Sequence, residues 1–310
     1  MNINHIVVGF DFSDTAKEAL QIALKMANSF DAEVHVVTSL PGHLDAKVLK
    51  DAKEFASPRA DQLYAKEALL ESMESRVRDA LNGLENSERL TSVDVMQIRA
   101  SKAIAEVADM READLIVVGA TGLGAFQRLL LGSTSQRLVH ESRWPVFVVK
   151  PGFAWPPQRV MCSVDFSDAS RNAVELGADI AAQADAGITV MNVVETTPAR
   201  MLDAFGVRYV DDFAQRREEL RELARRDIEA FINKDDRFEK LAWTPLVTDG
   251  LIEECIIETA SAKADLLCIG SVGRSGFQGM LLGNTAERVL RELPCSMLIT
   301  KPDDFVLDHA

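Results

Sequence analysis

Apolar and polar residues alternate along the chain in blocks that predict a repeated succession of strands and helices. The run His5–Phe10 is mostly apolar, as expected for a strand buried on both faces of a parallel sheet. A polar turn separates it from Thr15–Phe30, where apolar residues recur at helical spacing. Ser13 or Asp14 is expected to cap this helix. Further strands are predicted at Glu33–Leu40, Ser92–Arg99, Asp114–Gly119 and Pro145–Lys150, with helices at Ala103–Arg111 and Ser133–Glu141.

The second half of the chain shows the same order of elements. Each half therefore predicts an α/β domain with a five-stranded parallel sheet covered by helices on both faces. Strands are predicted at Arg159–Val164, Ile188–Val194, Leu241–Val247, Ala264–Gly270 and Ser296–Thr300, with helices at Ala169–Gln183, Glu253–Ser261 and Asn284–Glu292.

Each half carries a long insertion between its second and third strands, at residues 44–85 and 199–235. Both insertions are rich in Ala, Leu, Glu, Arg and Lys, with apolar residues at roughly helical spacing. Two interpretations stay open, an amphipathic helix packed on its own sheet or an element that binds a partner or covers a site. The apolar face of the second insertion is expected to include Leu220, Leu223, Ala224, Ile228 and Phe231.

The two halves are repeats of one sequence. Residues 113–151 align with 264–302 without a gap, and Val8–Asp14 aligns with Cys162–Asp168. A period of this length indicates duplicated domains, because solenoid repeats run about 20–50 residues. We expect a first domain at 1–150, a Pro- and Gly-rich linker at 151–158, a second domain at 159–302 and an acidic tail at 303–310.

Composition excludes several classes of function. A formal net charge of −14 argues against binding nucleic acid or an anionic membrane surface, since both require a basic face. No apolar run approaches the roughly 20 residues of a membrane span, and the N-terminus lacks the pattern of a signal peptide. We therefore expect a cytoplasmic protein. The four cysteines form no C-x-x-C pair and the five histidines show no metal-ligand spacing, so no metal site is expected.

Glycine-rich turns after the fourth strand of each half are the candidate ligand sites. Gly119 and Gly122 follow a buried strand, and Gly132 precedes a helix that opens with Ser133 and Thr134. Backbone amides and hydroxyls at a helix N-terminus bind anions, and ligands of parallel sheets lie at the carboxyl ends of strands. Asp11, at the end of the first strand, could accept hydrogen bonds from a ribose or a base. A turn without a ligand, and simple helix capping by these residues, remain the alternatives.

Other nucleotide and hydrolase motifs are absent. The sequence contains no G-x-x-x-x-G-K-[ST], no G-x-G-x-x-G after the first strand and no G-x-S-x-G. No nucleophile and base stand out as a pair, so little indicates hydrolytic catalysis.

The glycine pattern and the duplication resemble the universal stress protein family. Gly119-x-x-Gly122-x9-Gly132-Ser133 is similar to the family's nucleotide signature, and both halves carry Asp-Phe-Ser after their first strand. The whole chain resembles the tandem-domain, UspE-like members. The resemblance implies two flavodoxin-like, adenine nucleotide α-hydrolase-like domains with sheet order 3-2-1-4-5, and a stress-response regulator or sensor that binds ATP or AMP, with Mg²⁺ as a candidate companion ion.

The resemblance also assigns roles to residues. The aspartate after the first strand would contact the nucleoside, a residue after the second strand the adenine, and the glycine turn the phosphates. The implied residues in the first half are Asp11, Gly119, Gly122, Gly132, Ser133 and Thr134, and in the second half Asp165, Val193, Gly270, Gly273, Gly283, Asn284 and Thr285.

Each half departs once from the family pattern. Ser39 stands where the adenine-contacting valine is expected, and Asn284 stands where Ser or Thr is expected. The first half therefore has the better phosphate turn and the second the better adenine contact.

The family dimerises through its last strand. Val146–Val149 and Met297–Thr300 are thus expected to pair antiparallel as an internal pseudo-dimer, and a homodimer of the chain is a further candidate.

Two further functions stay open. One is a slow ATPase or self-phosphorylating protein that uses Ser133 or Thr134. The other is a carrier or interaction module for an apolar or lipid-like ligand, whose candidate lining residues are Phe126, Leu129, Leu130 and Leu131 in the first half and Phe277, Met280, Leu281 and Leu282 in the second.

Overall fold

The computed structural model describes residues 3–40, 62–122, 131–196, 211–271, 282–303 and 305. Within these ranges strands and helices alternate as predicted. The strands are β1 (His5–Gly9), β2 (Glu33–Ser39), β3 (Leu90–Met96), β4 (Leu115–Gly119), β5 (Val146–Val149), β6 (Arg159–Ser163), β7 (Gly187–Glu195), β8 (Trp243–Gly250), β9 (Leu266–Gly270) and β10 (Ser296–Thr300). The α-helices are α1 (Asp14–Phe30), α2 (Gln62–Leu81), α3 (Ala100–Met110), α4 (Ser133–Glu141), α5 (Asp168–Ala184), α6 (Asp211–Ile232), α7 (Ile252–Lys263) and α8 (Asn284–Glu292). Short 3-10 turns lie at Ser87–Arg89 and Asp236–Glu239.

The chain divides into two compact units, residues 2–138 and 139–310. In the first unit the parallel order is β3-β2-β1-β4. In the second unit, β8-β7-β6-β9-β10 is parallel and follows the expected order 3-2-1-4-5. The strand β5 belongs to this second unit, so the boundary between the two compact units lies before the domain boundary expected near residue 150. The expected domain boundary stays a prediction.

The expected pairing of the two last strands is present. β5 runs antiparallel to β10, with Met297 opposite Val148, Leu298 opposite Phe147 and Ile299 opposite Val146. The linker begins beside this pair, where the ring of Phe153 packs edge-on against Phe147 at 5.6 Å between centroids. Each strand thus covers an edge that would otherwise expose unpaired backbone groups.

The helix that follows the first strand is specified in the same way in both repeats. Ser13 caps α1 by accepting a hydrogen bond from the Ala16 amide, so the predicted cap is Ser13 and the helix begins at Asp14. The buried face of α1 recurs at helical spacing and packs on β1 and β4. In the second repeat Ser167 caps α5 by the same bond. This capping fixes the turn that carries each candidate aspartate.

The described parts of the insertions contain helices that pack on their own sheets. Val77 and Leu81 of α2 are buried against β3, and α6 packs on β7 and β8. The predicted apolar face of α6 is only partly correct, because Leu220 and Leu223 are 38% and 54% exposed. No described helix has both the length and the apolar character needed to cross a membrane.

Candidate functional site

The predicted residues of the first repeat meet at the carboxyl ends of β1 and β4. Asp11 follows β1 and is exposed. Its Oδ1 accepts hydrogen bonds from the Ser13 amide at 3.0 Å and from the Ser13 hydroxyl at 2.5 Å. Phe12, between them, adopts a left-handed conformation with φ of 65°, which few residues other than glycine adopt. Asp11 therefore does not cap α1 itself, and this turn holds its carboxylate beside the glycine turn.

The two glycines at the end of β4 have different physical roles. A Cβ added at Gly119 would lie 2.8 Å from the backbone carbonyl of Thr15, so glycine is required there for α1 to pack on β4. A Cβ added at Gly122 would lie 2.7 Å from Asp11 Oδ2. Gly122 is therefore the position at which the turn and the aspartate converge.

The start of α4 leaves its amides without a side-chain cap from the preceding residue. The Gly132 carbonyl accepts the first helical bond, from the Gln136 amide at 2.9 Å, which makes Gly132 the N-cap. Among the described residues, a Cβ added at Gly132 would meet no atom closer than 3.5 Å, so their packing does not require glycine here. Ser133 is exposed and Thr134 half-buried at this N-terminus. Binding of an anion at this N-terminus stays a prediction.

Two hydroxyls outside the predicted motif hold the ends of this turn. The Thr15 hydroxyl donates to the carbonyl of Thr121, and the Ser135 hydroxyl donates to the carbonyl of Gly119 at 2.7 Å. The backbone amide of Gly132 donates to the backbone carbonyl of Ala120 at 2.7 Å, which joins the two ends of the loop. These bonds fix both sides of the loop relative to α1. A comparison of the repeats would have indicated them, since the second repeat has alanine at both hydroxyl positions.

The second repeat reproduces part of this arrangement. Asp165 Oδ1 accepts from the amide and the hydroxyl of Ser167, at 3.1 and 2.6 Å. Gly270 packs on α5, where a Cβ would lie 2.7 Å from the Ser170 amide. Gly283 is the N-cap of α8, and its amide donates to the backbone carbonyl of Ser271 at 2.6 Å.

The remaining predicted residues of the second repeat begin α8 or lie outside the described part of the chain. Asn284 is exposed and Thr285 is half-buried in the first turn of α8. Gly273 lies outside the described residues. The proposed carrier lining at Phe126, Leu129 and Leu130, and at Phe277, Met280 and Leu281, does so as well.

The two positions expected to contact adenine differ in chemistry. The Ser39 hydroxyl donates to the carbonyl of Ile98, so this side chain is committed to the protein backbone. Val193 occupies the same place in β7, is half-buried and presents an apolar side chain. The apolar contact expected of an adenine site is therefore available in the second repeat.

A buried ion cluster, missed in the sequence, lies at the carboxyl edge of the second unit. The Asp249 side chain is 2% exposed and accepts hydrogen bonds from Arg217 and Arg221 of α6. The Thr196 hydroxyl lies 3.4 Å from the same carboxylate. This cluster anchors the inserted helix to the end of β8, which supports packing on its own sheet as the role of the helix.

The four cysteines are free, and the pKa values of three of them are raised. Burial raises the pKa of Cys255, and it raises the pKa of Cys295 to about 12. The hydrogen bond to Cys162 and burial together raise the pKa of Cys268. A thiolate is the nucleophilic form, so these pKa shifts disfavour thiol chemistry at neutral pH.

Comparisons with known proteins agree with the sequence repeat. The profile of the universal stress protein family matches residues 2–150 and again residues 157–301. A universal stress protein of Mycolicibacterium smegmatis is 29% identical over 333 aligned positions, covering 96% of this chain and 97% of that protein. A universal stress protein E homolog of Haemophilus influenzae is 25% identical and covers 97% of this chain and 98% of its own length.

Among solved structures, a universal stress protein from Archaeoglobus fulgidus has the same fold. It superposes with a TM-score of 0.64 at 17% identity, over 97% of this chain and 100% of that one. The two family matches, the full-length relatives and the shared fold lead to one conclusion: the chain belongs to the universal stress protein family, and consists of two tandem domains of that family.

Proposed function

We propose that this protein binds an adenine nucleotide, ATP or AMP, in the crevice between Asp11 and the glycine turn of the first unit. The proposal rests on the close approach of the Asp11 carboxylate to Gly122. This approach places a hydrogen-bond acceptor beside backbone that carries no side chain, at the carboxyl ends of the strands. In this proposal the protein is a cytoplasmic regulator or sensor of the stress response. Membership of the family supports that role.

Each residue of the first crevice has a distinct task in this proposal. Asp11 would accept hydrogen bonds from the ribose hydroxyls of the nucleotide. The missing side chains of Gly122 and Gly132 would let the phosphates reach backbone amides. Ser133 and Thr134 would donate hydroxyl hydrogen bonds to the same phosphates, with Mg²⁺ as their companion ion.

The first unit is the stronger phosphate site in this proposal. Its turn is held by the hydroxyls of Thr15 and Ser135, which the second unit replaces with Ala169 and Ala286. A turn held in its binding conformation loses less entropy when a ligand arrives. The second unit keeps the apolar adenine contact Val193, so a weaker second site is part of the proposal.

Nucleotide released from the purified chain tests the proposal. Gentle denaturation is expected to release adenine nucleotide, detected by mass and by absorbance, and added ATP should raise the melting temperature of the emptied protein. Gly132→Val should abolish that rise without unfolding the chain. The matched control is Gly187→Val, at an exposed glycine where no atom of the described part of the chain lies within 4 Å of an added Cβ.

Two results would count against nucleotide binding. One is an empty protein whose melting temperature ATP does not change, and the other is an equal ATP response in the Gly132 and Gly187 variants. Phosphate released in the same samples would test the alternative of slow ATP hydrolysis.

A further inference from the structure

Two histidines and a glutamate meet at the amino ends of β1 and β2, at the opposite sheet edge from the candidate nucleotide site. His5 Nδ1 lies 3.8 Å from Glu33 Oε2, and His35 Nε2 lies 3.8 Å from the same oxygen. The two histidine nitrogens are 3.5 Å apart. Three atoms that each can bind a metal ion therefore form one small triangle.

The strand register brings these residues together. His5 is opposite Glu33 in the parallel pair of β1 and β2, and His35 lies two residues further along β2. Side chains two residues apart project from the same face of a strand. All three side chains therefore share one face, although the sequence separates them by up to about 30 positions.

The size of the triangle fits a tetrahedral ion. Zinc binds histidine nitrogen and carboxylate oxygen at about 2.0–2.2 Å, so two tetrahedral ligands lie about 3.3–3.5 Å apart. The separation of 3.5 Å between the two histidine nitrogens lies within that range, and the two separations of 3.8 Å from Glu33 exceed it by a few tenths of an ångström. Small side-chain movements would close the difference.

Hydrogen bonding orients His35 as a ligand. The Ser92 hydroxyl donates its one proton to Asp94 Oδ2 at 2.8 Å. Ser92 must therefore accept the proton of His35 Nδ1, which lies 3.0 Å from its oxygen. That bond fixes the tautomer of His35 and leaves the lone pair of Nε2 facing His5 and Glu33. The Asp94 carboxylate thus acts on His35 through the Ser92 hydroxyl, and a hydrogen bond to the second ring nitrogen commonly orients the histidine ligands of metal sites.

The exposure of two of the three side chains gives an ion access to the site. The side chain of His35 is 2% exposed, whereas those of His5 and Glu33 are 37% and 53% exposed, so an ion can enter from solvent.

We propose that His5, Glu33 and His35 bind one Zn²⁺ or a similar divalent transition metal, with the fourth tetrahedral position open to water. Two neutral imidazoles and one carboxylate form the ligand set that imidazole-binding divalent metals prefer. The site is independent of the proposed nucleotide site, and the first unit alone carries it. The second repeat has Arg159, Gly187 and Thr189 at the corresponding strand positions.

A zinc titration of the untagged full chain, after removal of metals with a chelator, tests this site. One equivalent of Zn²⁺ is expected to bind and to raise the melting temperature. Glu33→Gln and His5→Gln should each weaken zinc binding at least about tenfold, because each removes a ligand. Glu33 is exposed, so its variant is expected to fold. Glu74→Gln, at a glutamate of α2 whose side chain is 42% exposed, is the matched control and should bind zinc as the wild type does.

Two further measurements distinguish zinc bound by these three residues from zinc bound elsewhere on the chain. Ser92→Ala should weaken zinc binding about 10–100-fold, since it removes the bond that orients His35. Co²⁺ in place of Zn²⁺ should give a spectrum without thiolate charge transfer, because no cysteine belongs to the site. The proposal is overturned by a wild type that binds no zinc, by a Glu33 variant with unchanged affinity, or by a thiolate band in the cobalt spectrum.

Discussion

The close approach of Asp11 to Gly122 makes a quantitative prediction for a double-mutant cycle. In Gly122→Ala the added Cβ would lie 2.7 Å from Asp11 Oδ2, closer than a carbon and an oxygen can approach. Apart from Asp11 Cγ at 3.9 Å, no other described atom outside the neighbouring residues lies within 4 Å of it. The carboxylate must therefore move, and it currently accepts two hydrogen bonds from Ser13.

The size of the effect follows from those two bonds. A hydrogen bond to a charged group contributes about 1.5–3 kcal/mol, and water replaces part of that at an exposed aspartate. Gly122→Ala should therefore lower the free energy of unfolding by about 1–3 kcal/mol. In an Asp11→Ala background no carboxylate obstructs the new Cβ. The loss of stability should then vanish, or become a gain of about 0.4–1 kcal/mol, because alanine reduces the conformational entropy of the unfolded chain. The coupling energy should exceed the roughly 0.3–0.5 kcal/mol scatter of independent sites.

Urea unfolding of the four proteins in the cycle measures this coupling. Circular dichroism is the suitable signal, because Trp144, Trp155 and Trp243 all belong to the second unit. Gly187→Ala is the control and should leave stability nearly unchanged. If Gly122→Ala lowers the free energy of unfolding equally with and without the Asp11 carboxylate, the inferred contact between Asp11 and Gly122 is refuted.

Three further predictions concern stability. Burial lowers the pKa of Lys301 to about 7, whereas an unfolded lysine titrates near 10.5, so the unfolded chain binds one more proton above pH 7. Urea midpoints should therefore rise between about pH 7 and 8, below the range in which unfolded cysteines ionise, in the wild type but not in Lys301→Met. Asp249→Asn removes the buried carboxylate that two arginines bind and should lower the free energy of unfolding by about 3–5 kcal/mol. The control Glu222→Gln, at an exposed glutamate, should change the free energy of unfolding by less than about 0.5 kcal/mol. Gly119→Ala sets a Cβ 2.8 Å from the Thr15 backbone, which cannot move cheaply, and should reduce the thermal midpoint more than Gly122→Ala does.

The order of elements was predictable because it depends on local patterns. The apolar runs of β1 and β4 and the Ser13 cap are each encoded within a few residues. The pairing of β5 with β10 was predictable only from the family resemblance, since neither strand carries a signal for its partner.

The buried face of α6 was predicted only partly correctly, because a charged residue distant in sequence determines which side of the helix packs on the sheet. Asp249 binds Arg217 and Arg221, and these arginines share the packed face with residues further along the helix. Leu220 and Leu223 are consequently turned toward solvent. Helical spacing alone could not distinguish this arrangement from a leucine-lined face.

The candidate sites show the same limit. The sequence indicated Asp11 and the glycine turn, but it could not show that Gly119 packs against α1 whereas Gly122 lies against the Asp11 carboxylate. The distinction depends on where α1 crosses β4. The sequence spacing of His5 and His35 likewise gives no sign of a metal site, because the register of two strands, and not their separation in sequence, brings them together.

An ATP titration of the wild type beside the Asp11→Asn and Asp165→Asn variants tests the proposed function most directly. We expect that the wild type binds ATP, that Asp11→Asn removes most of the tighter binding, and that Asp165→Asn leaves it nearly intact. Unchanged ATP affinity and stoichiometry in the folded Asp11→Asn protein would contradict nucleotide binding in the first crevice.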